Sequence, residues 1–515
     1  MKKCPTKGSH EIAVELAKRI KGRVNDTWDP EYKQAVQIDN GRITHEPMLV
    51  AVPEYDLDGR TKPQDPFKSV CEIVKFCQKQ NLRLTAKSGG HSAAGYCLNT
   101  NGVVLDLRRF NKTQLDPATG ILTLGAGCRW RQVYDFLETG ESGLIPVGGG
   151  CPGVGVGGFL LGGGYSFLSR SYGLGCDNMK SVTIVDKDGM VHKATKKAES
   201  QHLRDLFWAS CGGGGGNFGV AVEFEVEAKR PPFETMLMGE VVFPFYRVDE
   251  ILPFYNEWVK KLPREMAVYG RIANIPDPRN AGERILTLLF TTVYNGPFSE
   301  GIKVLDGLLK LVPIRVEFQN MTIHEWEDYI GSRTSIAGRS AYIRSLMLPV
   351  GAMTEKVAYT LKKYMSFCPS PETFIVWTHA GGAVSSIANA ATAFAHRDAL
   401  FIPEIKAIWD FNKPEETSRN VEWAYKFFEE LAESSTATGA YVNYIDPLLT
   451  GWKEKYHGSN YARLLEIKRH WDPNSFFHFQ QGIGSDFEPN NYIKPDDREL
   501  DKRRAYVELS ALSVS

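Results

Sequence analysis

The sequence predicts an α+β protein of two units, and three observations carry that expectation. Short apolar stretches of strand length alternate with helical patterns along most of the chain. Glycine is concentrated, with twelve residues between Gly148 and Gly175 and six between Cys211 and Gly219. From Pro231 the texture changes to longer strands and helices in which glycine is sparse. A length of 515 residues exceeds one ordinary domain, and 43% apolar with 24% charged residues argues for a packed chain over a disordered one.

Taken in order, Val70, Ile73, Val74 and Cys77 have helical spacing and predict a helix over 66–80. Leu82–Lys87 reads as a strand that runs directly into Ser88-Gly89-Gly90-His91-Ser92. Strands at Val103–Leu107 and Ile121–Leu124 and a helix at Trp130–Glu138 follow. The two glycine runs abut strands at Ser181–Asp186 and Val220–Val226, so glycine there serves close backbone approach better than it serves a linker. Strands at Met236–Val242, Ile285–Val293, Phe374–Ala380 and Leu400–Trp409, with helices at Val248–Lys261, Thr354–Tyr364 and Val421–Ser434, make the second unit. Residues 440–484 return to a dense aromatic pattern, and Ser485–Arg504 reads as polar and exposed.

Several function classes lose support at once. Sixty-one basic against sixty-one acidic residues give no reason to expect a nucleic-acid partner. No run reaches the ~18 apolar residues of a membrane span. The start, Met1-Lys2-Lys3-Cys4-Pro5, has no apolar signal core, so a cytoplasmic protein is expected, and a mature secreted form is the alternative. The sequons at Asn25, Asn111 and Asn320 would matter only on that secreted route. Nine scattered cysteines without a CxxC pair, and eleven histidines without HExxH, predict no metal.

Gly153-Val154-Gly155-Val156-Gly157-Gly158 satisfies GxGxxG, with Asp177 about where a ribose-binding acid would lie. It follows Gly148-Gly149-Gly150-Cys151-Pro152 and no convincing strand, which argues against a dinucleotide fold. His91 and Cys151 each sit in a glycine turn, where a single residue of either kind would be unremarkable. Together with Gly212–Gly216-Asn217-Phe218-Gly219 they form a pattern.

With Arg170-Ser171-Tyr172-Gly173-Leu174, Asp205-Leu206-Phe207-Trp208, Tyr441-Val442-Asn443-Tyr444 and Asp472-Pro473-Asn474-Ser475-Phe476-Phe477, that pattern resembles the berberine bridge enzyme-like flavoproteins of the vanillyl-alcohol oxidase superfamily. The likeness covers about 40–230 and reappears at 400–484. It implies a PCMH-type two-subdomain FAD-binding domain at 1–230 (core about 40–230), completed by a C-terminal segment at 440–484. A substrate domain at 231–439 built on an antiparallel sheet and a polar tail at 485–515 complete the division. It implies FAD held covalently through His91 (at the 8α carbon) and Cys151 (sulfur at C6). Cofactor-binding roles follow for Ser88, Gly89, Gly90, Ser92, Gly157, Gly158, Gly216, Asn217, Val222, Tyr441 and Asn443. Backbone N–H groups of Ser88–Ser92 would wrap the pyrophosphate. Tyr444, placed on a strand, is the implied base, and its phenol, ordinarily near pKa 10, would need a neighbouring cation. Glu404 and Lys406 share a strand face as the acidic or basic assistant, and the choice between them stays open. Val154, three places after the linked cysteine, is the implied oxygen gate, valine there accompanying oxidases.

Two positions depart from the family pattern. Ala93 stands where many relatives carry tyrosine, and Phe159 where many carry histidine. Both changes imply a roomier, greasier site. The expected activity is two-electron oxidation of an alcohol or amine centre in a small, secondary-metabolite-like molecule, with dioxygen as acceptor, hydrogen peroxide released and cyclisation where the product is electrophilic. The alternatives are a carbohydrate oxidase and a catalytically silent flavin-binding protein. Sequence does not address oligomeric state.

Overall fold

The computed structural model describes residues 8–489 except 56–64, 278–279, 281, 335 and 337. The N-terminal pentapeptide and most of the 485–515 tail therefore lie outside the described residues. Sixteen strands in three sheets organise the described chain. The first sheet comprises β1 (Gly22–Asp26), β2 (Leu49–Pro53), β3 (Leu84–Lys87) and β4 (Val103–Asp106) in the order β1-β2-β4-β3, with β2 and β3 parallel to β4. The second comprises β5 (Thr113–Asp116), β6 (Ile121–Gly125), β7 (Met179–Val185), β8 (Val191–Thr195) and β9 (Val220–Glu227), wholly antiparallel in the order β5-β6-β9-β7-β8. One hydrophobic core joins both, with the helix Lys68–Gln80 burying Val70, Ile73, Val74 and Cys77 in it. That is the face the sequence spacing predicts.

The third sheet contains β10 (Met236–Pro244), β11 (Met266–Pro276), β12 (Arg284–Tyr294), β13 (Arg315–Met321), β14 (Arg339–Ser345), β15 (Phe374–His379) and β16 (Phe401–Asp410). Its order is β13-β10-β12-β11-β15-β16-β14, every neighbour antiparallel. The helices Val248–Trp258, Glu355–Met365 and Thr417–Ser435 pack on one face and share a core with it. Strand alternation decides what faces where. On β16, Phe401, Ile405, Ala407 and Trp409 enter that core, and Ile402, Glu404 and Lys406 face the opposite way, onto a cavity.

The chain after Gly439 ties these layers together. Arg344 on β14, almost fully buried, pairs with Asp446 (Nε–Oδ2 2.7 Å), and Tyr342 donates to the same carboxylate at 2.8 Å. Lys468 meets Asp472 at 2.6 Å and donates to the carbonyls of Asn217 and Phe477. Asp472 also accepts from the backbone N–H groups of Phe476 and Phe477. The Asp-Pro-Asn-Ser-Phe-Phe motif is thus a buried ion pair with its partners, a structure that is costly to break. No described helix is long and apolar enough to cross a membrane.

Candidate active site

A cavity of about 450 Å³ lies between the open face of the third sheet and the glycine-rich turns of the first two. The turn after β3 meets the turn after Cys151 backbone to backbone. A Cβ on Gly89 would stand 2.3 Å from the Gly155 nitrogen, so neither residue can carry a side chain. A Cβ on Gly153 would stand 2.6 Å from Nε2 of His91. Those contacts bring His91 and Cys151, sixty residues apart in sequence, to one wall of the cavity. Ser88 donates to the Ala126 carbonyl at 2.6 Å, and Ser92 accepts from the Tyr96 N–H at 3.0 Å. Both hydroxyls therefore hold the turn in shape. Gly90 and Gly216, each at φ 77°, also line the cavity, as do Gly157 and Gly158.

Asn217 fixes the second glycine run. Its side-chain N–H groups donate to the Gly213 and Gly214 carbonyls, and its oxygen accepts from the Ile483 N–H at 2.9 Å. Val222 does not line the cavity: it lies fully buried on β9, its carbonyl accepting from Ala126, and Val220 and Ala221 face the space instead.

His91 Nδ1 stands 3.5 Å from Oδ2 of Asp39, a residue that sequence reasoning passed over because it lies between predicted elements. Burial lowers the His91 imidazole below its ordinary pKa, and Asp39 opposes that shift. Burial raises the Cys151 thiol, against a smaller lowering by Lys406. Val154 also faces the cavity.

The segment expected as a strand at 441–444 is a 3-10 turn over Val442–Tyr444. Anchors on both sides impose it. Tyr441 accepts hydrogen bonds from the Gly164 N–H and from Asn443, each at 3.0 Å, and Asn443 also donates to the Phe159 carbonyl at 3.1 Å. Asp446 is held by Arg344 and Tyr342 as above. Tyr444 is turned toward β16, where Lys406 Nζ lies 5.5 Å from its ring centroid and 2.8 Å from Oε2 of Glu404. The cation that a tyrosine base requires is present, but Glu404 absorbs its charge. Burial, with the adjacent and hydrogen-bonded Glu404 carboxylate, pushes the Tyr444 phenol well above its ordinary value. As arranged, the Tyr444 phenol is held protonated beside the Glu404 carboxylate.

Much of the remaining wall is apolar: Ala93, Phe159, Ile330, Ile336, Ile343 and Val376. Phe159 packs edge-on to Trp130 at 5.0 Å. Sequence reasoning also missed Arg271, Tyr269 and Thr378 on this wall. A single charged residue inside the apolar run of β11 was the available signal.

Comparison with known proteins gives this architecture its context. A family model described as FAD binding domain matches residues 67–195, and one described as Berberine and berberine like matches 440–484. The chain is 27% identical over 470 residues to the FAD-linked oxidoreductase YvdP of Bacillus subtilis (strain 168), covering 90% of this chain and 98% of that one. A xylooligosaccharide oxidase from Myceliophthora thermophila C1 superposes with a TM-score of 0.78 at 24% identity, covering 93% of this chain and 99% of that one. Berberine bridge enzyme from Eschscholzia californica does so with 0.77 at 21% identity, covering 93% and 99%. The cavity suits the cofactor those matches imply: two glycine turns bare of side chains converge on it, with histidine and cysteine nucleophiles on one wall. The chain is an FAD-dependent oxidoreductase of α+β, PCMH-type fold whose FAD-binding domain and C-terminal segment match those of berberine bridge enzyme-like proteins.

Proposed function

We propose that the protein is an oxidase that removes two electrons from an alcohol or amine centre of a small, largely apolar molecule. The observation that carries this reading is that Tyr444, Glu404 and Lys406 line the same cavity as His91 and Cys151. Residues of 1–230 and 440–484 would hold FAD, with covalent bonds from His91 to the 8α carbon and from Cys151 sulfur to C6. When bound, the flavin supplies a two-electron acceptor for the substrate hydride, which dioxygen regenerates with release of hydrogen peroxide. Cys151 must lose its proton to form its bond, and the Gly153 backbone N–H, with smaller contributions from Lys406 and the Val154 N–H, favours the thiolate.

In the proposed reaction the Tyr444 hydroxyl accepts a hydrogen bond from the substrate O–H or N–H while donating its own to Glu404. As the substrate C–H bond breaks, the substrate proton passes to Tyr444 and the Tyr444 proton to Glu404. Lys406 holds the Glu404 carboxylate in place at 2.8 Å and moderates its charge before the proton arrives. The apolar wall keeps water from competing for these hydrogen bonds. Val154 leaves room beside Cys151 for a diatomic molecule.

Anaerobic bleaching of the flavin absorbance against aryl and allyl alcohols, amines and oligosaccharides tests the reading. Bleaching by alcohols or amines supports it. Bleaching by oligosaccharides alone indicates a carbohydrate oxidase, and bleaching by dithionite alone a silent flavin protein.

A further inference from the structure

The third sheet ends differently on its two sides. At β14 the protein itself closes the outer edge: Asn40 donates to the Ala341 carbonyl at 2.9 Å and accepts from the Ala341 N–H at 3.0 Å. At β13 no described strand pairs with the outer edge. An edge strand presents a row of unpaired N–H and C=O groups, which proteins ordinarily blunt with inward-pointing charges or a covering segment. Here apolar side chains accompany it instead, Val312 being 75% exposed, Ile314 37% and Val316 43%. Tyr246, 74% exposed, stands close by, since the next residue, Arg247, donates to the Val312 carbonyl.

Register sorts the side chains of β13 by face. Val316 lies beside Val241 and Phe318 beside Gly239, so both belong to the face that carries the helical core, and Ile314 falls in line with them. Arg315 and Glu317 lie on the other face, where Arg315 Nε stands 3.7 Å from Oε1 of Glu317 and Nη2 stands 3.4 Å from Oε2 of Glu240. A second, antiparallel β13 can meet this edge in several registers, and charge selects one of them. With Val316 on the two-fold axis, Arg315 of each copy stands opposite Glu317 of the other, and Ile314 opposite Phe318. With Arg315 or Glu317 on the axis, like charges stand opposite each other, which destabilises a strand pair. An axis between two residues sets valine against charge. We propose that the β13 edge binds a second copy of this chain, the two strands pairing antiparallel about an axis through Val316. Backbone hydrogen bonds then join the two sheets into one, and the self-complementary side chains fix the register.

Analytical ultracentrifugation of the flavin-loaded enzyme reads the stoichiometry, and cysteine cross-linking reads the register. One strand pair with its flanking patch is a small interface, so a dissociation constant of about 1–100 µM is expected. Val316→Lys sets two like charges face to face on the axis and should weaken the dimer about tenfold or more, with melting temperature and flavin content unchanged. Val316→Cys should form a disulfide-linked dimer, oxidised glutathione taking two electrons and two protons from the facing thiols. Gln319→Cys, which this register sets opposite Pro313, should cross-link no more than wild type. Should Val316→Lys fail to fold, the two cysteine variants decide alone. A wild type that stays monomeric throughout that concentration range overturns the inference. So does a dimer that Val316→Lys leaves intact, or one in which Gln319→Cys cross-links as readily as Val316→Cys. Slow amide exchange along β13 in a monomer also overturns it, by placing another segment of the same chain on the edge.

Discussion

Replacing Glu404 by glutamine separates two readings of the base, because they predict opposite signs. Glu404 is 4% exposed, lies 2.8 Å from Lys406 and raises the Tyr444 phenol. Glutamine keeps the shape but removes both the negative charge and the capacity to take a proton. If Glu404 is the proton acceptor, anaerobic flavin reduction should slow by about 10²- to 10⁴-fold, equivalent to about 3–5 kcal/mol in the barrier. If tyrosinate were the base, the same variant would leave Lys406 unopposed beside the ring and lower the phenol toward neutrality. Reduction would then quicken, and wild-type rates would climb about a decade per pH unit between about pH 7 and 9, as expected below a phenol pKa near or above 10. Stopped-flow reduction of wild type, Glu404→Gln and Tyr444→Phe across that range decides between them. A faster Glu404→Gln enzyme, or a wild-type rate rising a decade per pH unit, refutes the relay.

Three other perturbations follow from the same geometry. Acid-precipitated wild type should stay yellow, and His91→Ala or Cys151→Ala should each keep one link. Gly153→Ala, whose Cβ would stand 2.6 Å from His91 Nε2, should lose the histidyl link alone, as mass spectrometry of flavin peptides would show. Val154→Leu adds one methylene beside Cys151 and should slow reoxidation of photoreduced enzyme in air-saturated buffer roughly tenfold or more, with anaerobic reduction unchanged; equal reoxidation rates remove Val154 from the oxygen path. Burial holds His457 neutral, its pKa lowered to about 3 from 6.5. The unfolded chain takes up that proton as pH falls below about 6.5 and the folded chain does not, so stability is full above that pH and declines below it. The loss reaches about 2 kcal/mol at pH 5 from this residue. Thermal melts of His457→Gln should flatten that acid limb, and an unchanged limb would move its cause to other groups.

Sequence by itself determined the parts of this protein whose chemistry is local. A histidine in a Gly-Gly-His-Ser turn and a cysteine inside a glycine run are constrained by their immediate backbone, and periodicity reports the buried faces of Lys68–Gln80 and β16. Glu404 and Lys406 were legible as one strand face, because a two-residue period needs no partner strand to be read. Tertiary structure alone decided what those faces meet. Burial, with the Glu404 carboxylate beside it, reverses the expected shift of Tyr444, and that depends on a turn at 442–444 imposed by Arg344, Tyr342, Gly164 and Phe159 from distant elements. The burial of Val222 off the cavity wall and the places of Asp39 and Arg271 on it are illegible in sequence for the same reason: lining a cavity is a property of register and packing between strands far apart in the chain. Local sequence specifies the period of a strand, whereas side chains contributed by other segments specify what its faces meet.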